Sequence, residues 1–159
     1  MKRTKDAFVY IVNTLKENRI PFMIAGGFAA KIYGSPRPLF DIDIWIPRKH
    51  MKRIRAKLLP LITMDLKRFK DDKWDDYSMT LTVFGVEVDI TAVEGGKIYD
   101  QKLSKWVPIR LSLHNVAKKR VFGKIVPVIK PKDLIGYKSK LGREVDIKDV
   151  AYLKSLYKP

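Results

Sequence analysis

The stretch from Met23 to Ile46 constrains this chain more than any other part of the sequence. It begins with an apolar run that predicts a short buried strand, passes through Gly26 and Gly27 into a brief helical pattern, and ends in an alternation of aspartates and isoleucines. Residues i and i+2 of a strand share a face, so Asp41 and Asp43 point the same way while the isoleucines point into a core. Because adjacent carboxylates repel each other, the pattern favours a divalent cation held by oxygen ligands.

The diglycine has a physical logic of its own. Glycine has no side chain, so a phosphate can approach the backbone closely. A helix that begins there directs its N–H groups and the positive end of its dipole toward an anion. An anion site followed by a cation site suits a polyphosphate with Mg²⁺, so we expect Gly26 and Gly27 to bind nucleotide phosphates. A plain tight turn is the alternative interpretation.

These residues carry a resemblance to a known family. An apolar strand, Gly-Gly, thirteen intervening residues and Asp-x-Asp on a second strand resemble the signature of the DNA polymerase β-type nucleotidyltransferase superfamily. That superfamily uses a third carboxylate on a later strand, where Asp89 stands in this chain, and Glu87 on the same strand face is the alternative. The resemblance implies that Asp41, Asp43 and Asp89 are catalytic and hold Mg²⁺ or Mn²⁺.

The C-terminal part resembles one branch of that superfamily, the AbiEii-type toxin nucleotidyltransferases and related small proteins. Lys138 lies in a predicted helix, and Asp146-x-x-Asp149 follows it. Many members carry an Arg and a Thr before the first Asp, and Arg37 matches the former whereas Leu39 replaces the latter. The resemblance implies that Arg37 and Lys138 bind nucleotide together with the diglycine. Asp146 and Asp149 share a helix face, and they either position Lys138, which could also be a surface residue, or pair with other basic residues.

The activity that the resemblance implies is metal-dependent transfer of a nucleoside monophosphate from a nucleoside triphosphate to an acceptor hydroxyl, with release of pyrophosphate. The acceptor could be an RNA end, a protein or a small molecule. Two other classes remain open, namely a catalytically silent nucleic-acid-binding protein and a toxin–antitoxin partner on the same scaffold. An intact set of three aspartates favours the enzyme. Clustered carboxylates repel each other, and a protein without a catalytic function would have no reason to keep them.

The charge of the chain bears on its partners. The net charge is +16, from 33 basic and 17 acidic residues, and nine Lys or Arg fall in each of the segments 48–70 and 118–143. Charge of this size favours a polyanion, because phosphate contacts release counterions, so we expect tRNA or another RNA as a partner. The alternative is a lysine-rich, solvated surface of the kind found in thermophile proteins.

The remaining patterns predict an α+β fold in which a mixed sheet is flanked by helices, with further helices at the C-terminus. We expect one domain over residues 1–159, with its core at about 20–93 and a helical part at about 131–157. Residues 70–76 are interpreted as a charged loop. The residues expected to be buried in the last helix are Ile147, Val150, Ala151 and Leu153.

The compartment follows from what the sequence lacks. No apolar run approaches the roughly 20 residues that span a bilayer, and the N-terminal pattern is not that of a signal peptide. The chain has no cysteine, which excludes disulfides and thiolate metal sites. We therefore expect a cytoplasmic protein without a membrane partner.

Overall fold

The computed structural model describes residues 2–39 and 41–157. The helices in those ranges are α1 (Lys2–Glu17), α2 (Gly26–Ile32), α3 (Met51–Leu58), α4 (Pro131–Leu141) and α5 (Glu144–Leu156). The strands in those ranges are β1 (Met23–Ala25), β2 (Asp41–Ile46), β3 (Ile62–Lys70), β4 (Trp74–Val83), β5 (Val86–Ala92), β6 (Lys97–Asp100), β7 (Lys105–Pro108), β8 (Val116–Val121) and β9 (Lys124–Ile129). None of these helices combines the length and the apolar character that a membrane crossing requires.

The strands form a mixed sheet flanked by helices, which confirms the predicted α+β class. The strand order is β7-β6-β4-β5-β2-β1-β9-β8, and β3 pairs with β4. The neighbours β2 and β5 are parallel, as are β1 and β9, whereas the other strand pairs are antiparallel. Because of the register between β2 and β5, Asp41 lies beside Glu87 and Asp43 lies beside Asp89.

The two faces of β2 differ in their chemistry. Ile42, Ile44 and Ile46 are fully buried in the hydrophobic core, and burial of each such side chain contributes about 1.5–3 kcal/mol. A shift of one residue would expose all three, so the alternation fixes how β2 sits in the sheet. The same alternation leaves Asp41 and Asp43 together on the opposite face.

Helix α4 lies against the aspartate face of the sheet. It begins at Pro131, and Gly142 follows its last turn with a φ of 61°, which are the usual positions of proline and glycine at the start and the end of a helix. Tyr137 in its middle packs edge-on against Trp45 of β2, with the ring centroids 5.7 Å apart. Helix α4 therefore forms a wall beside the two aspartates.

The buried face of α5 differs from the prediction. Leu153 is buried as expected, but Ile147 is 62% exposed, and Ala151 is exposed too. The face that packs inward instead carries Asp146 and Asp149, both fully buried. The reason is that α5 packs against α4 through ion pairs between buried side chains. The spacing of apolar residues does not reveal such pairs.

The predicted charged loop at 70–76 is also shorter than expected. Strand β3 continues to Lys70, and β4 already begins at Trp74, so only residues 71–73 connect the two strands. The carboxylate of Asp71 stabilises this tight connection by accepting hydrogen bonds from the N–H groups of Lys73 and Trp74, both 2.8 Å long. Asp76 consequently lies in a strand and not in a solvated loop.

Candidate active site

A cavity of about 630 Å³ opens on the aspartate face of the sheet. Strands β2 to β5 contribute its floor, and α4 and the first residues of α2 and α5 contribute to its walls. The predicted site residues Gly26, Gly27, Arg37, Asp41, Asp43, Asp89 and Lys138 all line this cavity. The structure therefore brings together residues that are up to 112 positions apart in the chain.

Three carboxylates lie close enough to share an ion. Asp41, Glu87 and Asp89 each offer an oxygen, and these oxygens lie within 4.8 Å of one another. The hydroxyl of Thr80 donates a 2.6 Å hydrogen bond to Oδ1 of Asp89 and so fixes the orientation of that carboxylate. Glu87, the sequence alternative to Asp89, lies in this group together with Asp89.

Asp43 lies directly beside Asp89 in the register of β2 and β5, but it does not belong to that group of three. Its Oδ2 accepts a 3.2 Å hydrogen bond from the N–H of Gly27. Burial, followed by the charges of Asp41 and Asp89, raises the pKa of Asp43 to about 8. The charges of Asp41 and Asp89 therefore act on Asp43, so these three carboxylates lie near one another. That they bind a metal ion stays a prediction.

Burial also raises the pKa of Asp89 to about 6, with the charges of Glu87 and Asp41 acting in the same direction. The four acidic residues thus lie in a place where an added negative charge is unfavourable and a cation would be favoured. The available donors are all carboxylate oxygens, which are the ligands that Mg²⁺ and Mn²⁺ prefer. The donor set fits the predicted ion.

The diglycine is explained by two side chains that approach it. A Cβ atom at Gly26 would collide with the carboxylate of Asp43, and one at Gly27 would collide with the guanidinium of Arg37. Gly26 also has a φ of +60°, which glycine adopts at little cost. The two glycines therefore leave room for the side chains that line the site, whether or not a phosphate also approaches them.

We expect Gly26→Ala to lower the free energy of unfolding by about 1–3 kcal/mol, because it combines a strained φ with a displaced Asp43. The matched control is Gly136→Ala in α4, where an added Cβ meets nothing within 4 Å. That control should stabilise the protein by about 0.5–1 kcal/mol, the usual gain of alanine over glycine in a helix. Urea unfolding of both variants checks this, and a Gly26→Ala protein as stable as the wild type would contradict it.

The two basic residues that were predicted to bind nucleotide, Arg37 and Lys138, form ion pairs with buried carboxylates. Lys138 is only 1% exposed, so it is not a surface residue, and its Nζ lies 3.0 Å from an oxygen of Asp146 and 3.0 Å from one of Asp149. Nε of Arg37 donates to both oxygens of Asp149 at 2.9 Å. Burial alone would raise the pKa of Asp146, but hydrogen bonds from Arg143 and the charge of Lys138 hold that pKa below its ordinary value.

The sequence analysis missed a cluster of aromatic and basic residues in the wall. Nε1 of Trp74 donates a 2.7 Å hydrogen bond to the hydroxyl of Tyr137. The guanidinium of Arg143 lies over the Trp74 ring, 4.6 Å from its centroid, which is a cation–π contact. Asp76 lines the same cavity. The period-2 pattern of β4, extended back from Ser78, would have placed Asp76 on the face of the site.

Comparisons with known proteins show what the fold is. No protein-family model and no curated protein sequence matches the chain. Among solved structures, TM1012 from Thermotoga maritima, which carries a provisional nucleotidyltransferase assignment, is similar with a TM-score of 0.70 at 18% identity, covering 94% of this chain and 89% of that one. The lincosamide antibiotic adenylyltransferase LnuA with bound lincomycin is similar with a TM-score of 0.66 at 16% identity, covering 95% and 96%.

ANT(2″)-Ia in complex with adenylyl-2″-tobramycin is a further similar structure, with a TM-score of 0.62 at 14% identity and coverage of 96% of this chain and 89% of that one. The fold is therefore that of nucleotidyltransferases, as the resemblance implied. At these identities the likeness concerns the fold, and the assignment to the AbiEii-type branch stays a prediction.

Proposed function

We propose that the protein is a nucleotidyltransferase that moves a nucleoside monophosphate from a nucleoside triphosphate to an acceptor hydroxyl and releases pyrophosphate. One observation carries the proposal. A single cavity joins a group of carboxylates on β2 and β5 to the cations Arg37, Lys138 and Arg143 beside a diglycine. Such a cavity offers a place for a divalent ion and a place for phosphates next to each other. The similarity of the fold to LnuA, an adenylyltransferase, supports it.

The metal would be held by Asp41 and Asp89, with Glu87 and Asp43 beside them, since these residues supply the oxygen donors of the cavity. When bound, Mg²⁺ or Mn²⁺ would neutralise charge on the triphosphate and favour ionisation of the acceptor hydroxyl. The burial of Asp43 and the mutual repulsion of the carboxylates are the physical reasons to expect such an ion.

Different residues of the cavity would serve different steps of the transfer reaction. The acceptor oxygen attacks the α-phosphorus, the bond from that phosphorus to its bridging oxygen breaks, and pyrophosphate leaves. Asp89 either holds the ion that favours ionisation of the acceptor hydroxyl or receives the proton of that hydroxyl at Oδ2, because the hydroxyl of Thr80 occupies Oδ1. Arg37 and Lys138 offset the charge that develops on the departing phosphates.

The acceptor that the cavity suits best is a small hydroxyl-bearing molecule. The side formed by β3 and β4 combines the apolar Met64 and Phe69 with the carboxylates of Asp71 and Asp76. Those carboxylates repel phosphates and favour a neutral or cationic compound. LnuA with lincomycin and ANT(2″)-Ia with an adenylylated tobramycin, both similar in fold, have small molecules of this kind in their structures.

RNA is the second candidate acceptor, and the net charge of +16 favours it. The basic residues of helix α3, in the segment 48–70, give this acceptor little support. Arg55 of α3 forms an ion pair with Asp65 of β3, and neither residue lines the cavity. Lys52 and Lys57 of the same helix do not line the cavity either.

Label transfer tests the proposal and separates the two acceptors. The protein is incubated with each of the four nucleoside triphosphates, labelled at the α-phosphate, with Mg²⁺ or Mn²⁺ and with fractions of a cell extract. We expect label in the small-molecule fraction that survives ribonuclease. Label confined to a ribonuclease-sensitive product would assign RNA as the acceptor. No transfer in any fraction would leave the silent binding protein or the toxin–antitoxin partner as the function.

A further inference from the structure

A buried network of charged side chains lies directly behind the cavity wall. Its members are Arg37, Lys138, Arg143, Asp146 and Asp149, and we refer to them as the buried charge network. The network connects three parts of the chain, namely the loop after α2, helix α4 and helix α5. Across residues 2–39 and 41–157, every buried polar atom of a side chain has a hydrogen-bond partner. The network is therefore fully paired and can hold its members in one arrangement.

The network is ordered by charge. Its three cations line the cavity, and its two carboxylates lie behind them and outside the wall. Three cations against two carboxylates leave a net charge of +1, and the guanidinium of Arg37 is the member that approaches the diglycine. The side chains of Arg37 and Arg143 are 19% and 38% exposed, whereas the acids that hold them are fully buried, so an anion in the cavity would meet cations and not carboxylates.

Asp149 is the member that connects Arg37 to Lys138. Its carboxylate is fully buried, and it accepts hydrogen bonds from the hydroxyl of Ser35 at 2.8 Å and from Nε of Arg37 at 2.9 Å. It also pairs with Nζ of Lys138 at 3.0 Å. Nε of Arg37 is held by Asp149, and Nη2 of the same guanidinium is the atom that a Cβ at Gly27 would meet, so this side chain reaches from Asp149 to the diglycine.

We propose that Asp149 is a positioning residue that holds the guanidinium of Arg37 at the diglycine so that this cation meets the phosphates of the nucleotide, while Lys138 keeps Asp149 in place. This inference rests on the proposed function, since it assumes that the cavity takes a nucleoside triphosphate. Asp149 lies outside the cavity wall and acts through Arg37. Its loss should affect the phosphate end of the site and leave the acceptor end unchanged.

The direction of the effect separates positioning from simple electrostatics. Asp149→Asn keeps the shape of the side chain but removes a negative charge, so the surroundings of the site become more positive. Electrostatics alone then predicts tighter binding of an anion. Positioning predicts weaker binding, by about ten- to a hundredfold, because a charge-assisted hydrogen bond to the phosphates loses its geometry.

The measurement uses inorganic tripolyphosphate with Mg²⁺ as the probe, since it has no base and reports on the phosphate end alone. Calorimetric titration compares the wild type, Asp149→Asn and the control Glu144→Gln. Glu144 lies on the same helix with its side chain 85% exposed, so its substitution changes the charge equally without touching the network. We expect weaker binding for Asp149→Asn only, and unchanged or tighter binding for that variant would overturn the inference.

A double-mutant cycle tests whether Asp149 acts through Arg37. Arg37→Lys keeps the charge but cannot make the same two-oxygen contact, so we expect it to weaken tripolyphosphate binding as well. In the Asp149→Asn background the same change should have little further effect, because the two residues act as one unit. Fully additive losses would overturn the inference.

Two further results need their own interpretation, namely an Asp149→Asn protein that does not fold and a wild-type protein that does not bind the probe. If Asp149→Asn does not fold, Ser35→Ala removes one anchor of Asp149 without changing any charge, and several-fold weaker tripolyphosphate binding is expected; unchanged binding would overturn the inference. If the wild-type protein itself binds neither tripolyphosphate nor any nucleoside triphosphate with Mg²⁺, the proposed function fails. Wild-type binding with an unaffected Asp149→Asn protein removes only the positioning role.

Discussion

Replacing Asp41 by asparagine is expected to lower the rate of nucleotidyl transfer at least about a thousandfold, which corresponds to about 4 kcal/mol of transition-state stabilisation. Asp41 belongs to the group of three carboxylates that can share an ion, and its charge also raises the pKa of Asp43 and Asp89. The substitution removes a charged oxygen donor from the proposed ion site but also relieves repulsion between carboxylates. The free energy of unfolding without metal should therefore stay the same or rise.

This combination of lower activity and equal or higher stability is the signature of a functional carboxylate. Initial rates with labelled nucleoside triphosphate measure the activity, and urea unfolding curves measure the free energy of unfolding. The control is Asp6→Asn, which makes the same chemical change at an exposed position of α1 and should leave both quantities unchanged. An Asp41→Asn protein that kept more than a tenth of the wild-type rate would contradict a catalytic role for this residue.

Replacing Lys138 by methionine is expected to lower the free energy of unfolding by about 3 kcal/mol. The substitution keeps the length of the side chain but leaves the fully buried carboxylates of Asp146 and Asp149 without the ammonium that lies 3.0 Å from each of them. Removal of one partner from a buried ion pair typically costs about 3–5 kcal/mol. The remaining contacts with Arg37 and Arg143 place the expected value at the lower end.

The matched control for this change lies two residues further along the same helix. Lys140 is exposed, and Lys140→Met should alter the free energy of unfolding by no more than about 0.5 kcal/mol. Denaturant unfolding followed by circular dichroism measures both variants. Similar stabilities for the two variants would mean that Lys138 does not hold the two acids together as described.

The part of the site that the sequence predicts correctly is the part encoded by local periodicity. Asp41 and Asp43 alternate with buried isoleucines on β2, and Asp89 alternates with Val88 and Ile90 on β5. A period of two fixes which face of the sheet each side chain takes. Local spacing was therefore sufficient to place Asp41 and Asp43 on one face of β2, whereas the position of Asp89 was implied by the resemblance and depends on the register between β2 and β5.

What the sequence does not show is which residues meet across long distances in the chain. The diglycine was recognised from its pattern, but the reason for it is non-local, since Asp43 and Arg37 fill the spaces where side chains would lie. The inward face of α5 was assigned to apolar residues because helical periodicity treats aspartate as exposed. Asp146 and Asp149 can be buried because Lys138 on the facing helix, together with Arg37 and Arg143, pairs with them.

The charged segment before Tyr77 is a second part of the structure that the sequence pattern did not reveal. A run of lysines and aspartates is typical of a solvated loop, yet Trp74 and Asp76 lie in β4. Asp75 forms a bidentate ion pair with Arg68 on the neighbouring strand β3, which compensates for its low strand propensity. Cross-strand pairing of this kind cannot be seen until the register of the hairpin is known.

The central claim is that the protein transfers a nucleotidyl group, and the fate of two labels tests it most directly. The same nucleoside triphosphate is supplied once with its α-phosphate labelled and once with its γ-phosphate labelled, together with Mg²⁺ and an accepting fraction. The account predicts that the α-label appears on the acceptor and the γ-label appears in pyrophosphate, with both absent for Asp41→Asn. Transfer of the γ-label to the acceptor, or no transfer of the α-label from any nucleoside triphosphate, would contradict it.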